Sequence, residues 1–214
     1  ETEALQDVRN QAVALTGSTN RGQLQVFSLD DESARTRDRY GRHRFGQTML
    51  LARRLAEAGV PMVAVHFNEM TICDGWDTHS KNFDACRTEL LPMLDQSLSA
   101  LLEDLDRRGQ LEETMVVCLG EFGRTPRINR KAGRDHWVPV GGGLIAGGGM
   151  QTGQVIGSTT KDAGHPDQRP VKYQEILATL YHNMGINPKG FIRDDADRPV
   201  KLLNQNPDPL HELV

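Results

Sequence analysis

Across residues 83–108, Leu90, Leu91, Leu94, Leu98, Leu101, Leu102 and Leu105 recur at three- and four-residue spacing. That spacing lines the leucines along one side of a helix, and such a stripe is stable only when something covers it. Pro92 predicts either a kink or a first turn. Arg107, Arg108 and Gly109 supply a favourable C-terminal charge and a stop. The run "TMVVCL" follows at once and reads as a strand, so helix and sheet should share the core.

Other segments repeat this alternation. Residues 44–58 predict a helix with Phe45, Met49, Ala52 and Ala56 on one face and Gly59 at its end. "VPMVAVHF" is β-branched and reads as the next strand, with Pro61 tolerable near its start. "GGGLIAGGG" and "GQVIG" predict two short strands between glycine turns. "PVKYQEILATLYHNMG" predicts a late helix faced by Ile176, Leu177, Leu180 and Met184. Residues 2–15 read as a short helix, and the Pro-, Asn- and Asp-rich tail after Gly185 as a surface segment. The order predicts an α/β fold: a mostly parallel central sheet flanked by helices, in one domain over residues 1–214.

Composition narrows the function classes. The chain has 214 residues, 37% hydrophobic and 25% charged, enough for one α/β domain with a substantial core. A net charge of −4 disfavours wholesale nucleic-acid binding, and no apolar run is long enough to span a bilayer. Cys73, Cys86 and Cys118 form neither a CxxC motif nor a disulfide framework. The first residue is Glu1 rather than Met, which suggests a fragment or a trimmed chain.

The ends of the expected strands carry the unusual residues. In open parallel sheets, ligands bind outside the carboxyl ends of strands. "VAVHF" leads to Asp77 and His79, "MVVCL" leads to Glu121 and Arg124, and Asp135-His136 precedes the strand around Leu144. Two imidazoles and two carboxylates converging from separate loops would suit zinc, manganese or iron. Arg124 would hold the oxygens of an anion through its rigid fork of donors. Blander readings stand beside these. Asp77 or Ser80 would serve equally well as a turn or helix cap. Glu121 would simply pair with Arg124. Arg127, Arg130, Lys131 and Arg134 would form a solvated loop face, and Trp76 and Trp137 would either shield the site or merely pack.

"RYGRHRFGQTMLLARRLAEAGVPMVAV", "GWDTHSKNF", "GEFGRTPRINRKAGRDHW" and "AGGGMQTGQVIGSTTKDAG" together resemble a bacterial family, the domain of unknown function fifteen-oh-one. This sulfatase-like group is placed in the alkaline phosphatase-like superfamily. The resemblance implies that superfamily's α/β sandwich, incomplete at the N-terminus, with the nucleophile region absent. It implies a metal-dependent hydrolase of small phosphate or sulfate esters; the alternative is a noncatalytic binding or structural domain that keeps the same fold. By resemblance Asp77, His79 and His136 bind one divalent metal, zinc first, with manganese, calcium or iron as alternatives. Glu121 serves a second metal or the first site's water, Arg124 holds the substrate anion, and Asp135 orients His136. Phe122 stands where a ligand would be expected, a departure from the phosphatase pattern. The family's export signals imply a periplasmic or extracellular location. No nucleic-acid partner and no membrane span are expected.

Overall fold

A computed structural model describes residues 25–67 and 73–214. The expected helix over residues 2–15 lies outside them. The element order is α1 (Ala34–Tyr40), α2 (Arg44–Glu57), α3 (Asn82–Ala85), α4 (Leu91–Arg107), β1 (Met115–Leu119), β2 (Gly123–Arg124), β3 (His136–Trp137), β4 (Gly143–Gly147), α5 (Tyr173–Asn183), β5 (Phe191–Arg193) and β6 (Pro199–Lys201).

The leucine stripe forms the long helix it predicts. α3 and α4 are joined through one wide turn over Cys86–Leu90, where the Leu91 N–H bonds to the Cys86 carbonyl five residues back. Pro92 explains the turn. It has no N–H to donate and its ring crowds the carbonyl four residues earlier, so the ladder widens before it. Leu90, Ala100, Leu101 and Leu105 are buried, while Leu91 faces water.

α4 packs against α1 and α2. Tyr40, Phe45, Met49, Leu50, Ala100, Leu101 and Leu105 form the core, with Val65, Phe67 and Val116 against its edge. α2 starts at His43, whose Nδ1 accepts the Gly46 N–H at 3.1 Å. Its buried face runs through Phe45, Met49 and Arg53, four residues apart, so an arginine occupies the place an apolar residue would take. Arg53 is only 2% exposed and is held by Glu32, Glu57 and Asp104 at 2.5–3.2 Å.

The expected sheet is corrected by the structure. The described residues hold three separate two-stranded antiparallel sheets, β1 with β4, β2 with β3 and β5 with β6. No parallel pair and no large central sheet occur among them, so the fold is not alkaline phosphatase-like. The physical reason is that strand composition does not supply a partner. Residues 60–67 are β-branched but form no ladder, and residues 153–157 form none either. β1 pairs with β4 without an intervening helix, and the loops between them leave β4 running back along β1. Parallel pairing would have needed a crossover.

The last segment also differs in detail from its pattern. α5 buries Ala178 and Thr179 rather than Leu177 and Met184, which are exposed. Thr179 Oγ1 accepts the Leu210 N–H at 2.8 Å. Leu203, Leu210 and Leu213 are buried, so the tail supplies core residues as well as surface. The Tyr173 hydroxyl donates to the Gly120 carbonyl and ties α5 to the end of β1.

Candidate metal centre

Two loops build the site. Residues 73–81 run into α3, and residues 125–135 join β2 to β3. Backbone hydrogen bonds clasp them together: Lys81 N–H to the Lys131 carbonyl at 3.1 Å, Asn82 N–H to the Ala132 carbonyl at 2.9 Å, and Arg134 N–H to the Thr78 carbonyl at 3.0 Å. Gly133 lies where the loops are closest. A Cβ there would stand 2.0 Å from the His79 carbonyl oxygen, so only glycine allows the approach. Thr78 is 1% exposed and its hydroxyl accepts a hydrogen bond from Asn82 Nδ2 at 2.6 Å. With Thr78 fixed inward, Asp77 and His79 stand on either side of a buried anchor. Tilted ring contacts connect this loop to the core, from Phe45 to Phe67 at 4.3 Å and on to Trp76 at 5.3 Å.

β2 and β3 bring in the rest. Their register sets Arg124 directly opposite His136. Asp77 Oδ1 is the meeting point. It lies 2.6 Å from Arg124, 2.8 Å from His136 Nε2 and 3.0 Å from His79 Nδ1. The two imidazole centroids are 4.6 Å apart. Hydrogen bonds from Arg124 and then His136 hold the Asp77 carboxyl down at about 2, well below the ordinary carboxylate range. Asp77 is therefore an anion at neutral pH.

One ligand atom each from Asp77, His79 and His136 lies within 4.8 Å of the other two. Zinc takes nitrogen and oxygen ligands at about 2.0–2.2 Å, which puts ligand atoms roughly 3.3–3.6 Å apart in a tetrahedron. The donor set has the right chemistry for a divalent cation, and a bound ion would need both rings to move back from Asp77, which they now touch at 2.8 and 3.0 Å. All three side chains are about half exposed, which leaves room for water or substrate at further coordination positions.

The remaining expected site residues have other placements. Glu121 is exposed after β1 and stands outside the three-residue group. Arg124 turns inward: besides Asp77 it donates to the Trp76 carbonyl at 2.7 Å and the Arg134 carbonyl at 3.2 Å. The Asp135 carboxylate accepts from Asn129 at 3.0 Å rather than from His136. Phe122 packs on the His136 ring, centroid to centroid 4.2 Å. Trp137 donates its indole N–H to the Gly164 carbonyl at 2.7 Å. Sequence reasoning missed Thr78, Asn82, Asn129 and Gly133, which build the loops around the cluster, Asn129 and Gly133 against the His79 backbone. Only the Asn-x-x-x-Gly spacing within the loop hinted at a built turn.

No curated protein and no solved structure matches the chain. The sequence does match the family described as "Protein of unknown function (DUF1501)", over residues 1–214. With its whole length covered by that match, the chain belongs to the DUF1501 family.

Proposed function

We propose that this chain carries a divalent-metal centre, held by Asp77, His79 and His136, that serves hydrolysis of a small phosphate or sulfate ester. The observation that carries the reading is the convergence of two imidazoles and one ionised carboxylate within 4.8 Å from separate parts of the chain. The support is local chemistry, since the parallel sheet of the phosphatase-like enzymes is absent among the described residues. A divalent metal bound there would lower the pKa of its water and polarise an ester oxygen. Arg124 would keep Asp77 ionised and aimed. Zinc suits the donors best, with manganese, calcium or iron as alternatives.

The test is metal content. Purified protein loaded with zinc is expected to hold one ion per chain by elemental analysis, and His79→Ala and His136→Ala are each expected to lose it. Metal retained by both variants would remove this ligand set. Turnover of aryl phosphate and aryl sulfate by the loaded protein then tests the hydrolase half.

One observation favours a second reading, a noncatalytic binding or structural domain. Asp77 Oδ1 already has three partners within 3.0 Å, so its charge is matched without any ion. That reading expects His79→Ala to lower the unfolding midpoint while added zinc leaves the midpoint of the parent protein unmoved.

A further inference from the structure

Asn129 lies in the loop that leads to His136 and faces the His79 loop without a hydrogen bond to either imidazole, and every polar function of its side chain is used. Oδ1 accepts the Lys131 N–H at 2.9 Å and the Gly133 N–H at 3.0 Å. Nδ2 donates to the His79 carbonyl at 2.9 Å and to Asp135 Oδ1 at 3.0 Å. The orientation of the amide is dictated by chemistry, because two backbone N–H groups can face only the oxygen. The oxygen therefore builds the loop of Asn129 itself. The nitrogen reaches out of it to the backbone of one candidate ligand, and along it to the residue just before the other.

We infer that Asn129 is a positioning residue that sets the separation of His79 and His136, an inference resting on the metal-centre reading above. Its amide nitrogen is a strut across the cleft to His79 and a tie to Asp135 within its own loop, next to His136. Backbone bonds at Thr78 on one side of His79, and at Lys81 and Asn82 on the other, close the same seam. The strut acts at His79 itself, whose own carbonyl those bonds do not reach. Partners that orient metal ligands through a second layer of hydrogen bonds typically control metal affinity by about 10–100-fold.

Asn129→Asp separates the two halves of the side chain. It keeps an oxygen for Lys131 and Gly133 but has no donor for His79 or Asp135, and it sets a second carboxylate against Asp135. Two measurements are made on the full chain. In the metal-free protein, long-range nitrogen–proton NMR of the imidazoles is expected to show the His79 and His136 signals displaced in Asn129→Asp. In zinc titrations against a competing chelator, affinity is expected to fall about 10–100-fold while the thermal midpoint stays close to the parent value. Imidazole signals that superimpose on those of the parent protein overturn the inference, whether or not zinc binds. A parent protein that binds no zinc removes the metal-centre reading, and the imidazole spectra still decide the role of Asn129. Should Asn129→Asp fail to fold, Asn129→Gln moves both functions by one methylene, and undisplaced signals in that variant overturn the inference equally.

Discussion

Arg53 and Asp77 are each the hub of an ion cluster, one in the helical core and one between two loops. Arg53 is 2% exposed, and its partners Glu32, Glu57 and Asp104 are fixed by α2, α4 and the segment before α1. Asp77 has a side chain 47% exposed, and its partners come from β2, β3 and its own loop. In the core, helices lock the geometry first and charge is matched afterwards, because an unpaired buried guanidinium would be very costly. Between the loops little apolar burial is available, and backbone hydrogen bonds with one close glycine approach do the locking. The comparison teaches that the core cluster is bound to the fold, while the loop cluster can exchange one partner for another at modest cost. A metal centre needs the second property.

The largest effect expected from breaking this division is in the core. Leu50 is fully buried beside Arg53 on α2. Leu50→Ala should cost about 2–5 kcal/mol in urea unfolding, the transfer term plus the cavity left behind. The protein that remains folded should bind zinc as the parent does, since the ligands stand on other elements and the core reaches their loop through the Phe45–Phe67–Trp76 ring contacts rather than through Leu50. A matching loss of zinc affinity in folded Leu50→Ala would show that the two regions are one cooperative unit.

Gly133→Ala is the mirror experiment. Its Cβ would lie 2.0 Å from the His79 carbonyl oxygen and 2.1 Å from the carbonyl carbon, both backbone atoms that cannot swing aside. The loops must part, at an expected cost of about 1–3 kcal/mol, the range for forced overpacking. Zinc affinity should fall at least as far as in Asn129→Asp, because the whole seam opens rather than one strut. Retained affinity would mean that the loops do not set the ligand geometry.

The same division governs what could be read from the sequence. α2, α4 and β1 were legible because apolar periodicity reports burial directly, and their core is apolar. The parallel sheet was misread because "VPMVAVHF" has the composition of a strand, yet pairing depends on a partner, and among the described residues none pairs with residues 60–67. Arg53 was invisible, since a basic residue on a helix usually marks the wet side. At the centre, Asp77, His79 and His136 could be named from residue type and position, and they do meet. Asn129 and Gly133 could not, because their work is done through backbone atoms that side-chain chemistry does not advertise. Arg124 was legible as a site residue, but its inward direction is set by the β2–β3 register, which only the fold supplies.

The smallest expected effect sharpens the contrast through pH. Burial pushes the Glu32 carboxyl up, but hydrogen bonds from Arg54 and Arg53 outweigh it and hold the group below its ordinary 4.5. Asp77 is held at about 2, chiefly by Arg124 and then His136. Both groups are depressed on folding, so both contribute stability above their unfolded values and lose it as pH falls through their folded values. For Glu32 that loss begins below about 4.5 and should appear in global unfolding, because its partner Arg53 is buried. For Asp77 it belongs between about 4 and 2, and solvent around a half-exposed pair screens it. Urea unfolding from pH 6 to pH 3 should therefore lose part of its acid slope in Glu32→Gln and keep it in Asp77→Asn. If Asp77→Asn flattened the slope as much as Glu32→Gln did, the loop cluster would be as tightly bound to the global fold as the core one, and it would lack the freedom to exchange its partners for a metal ion.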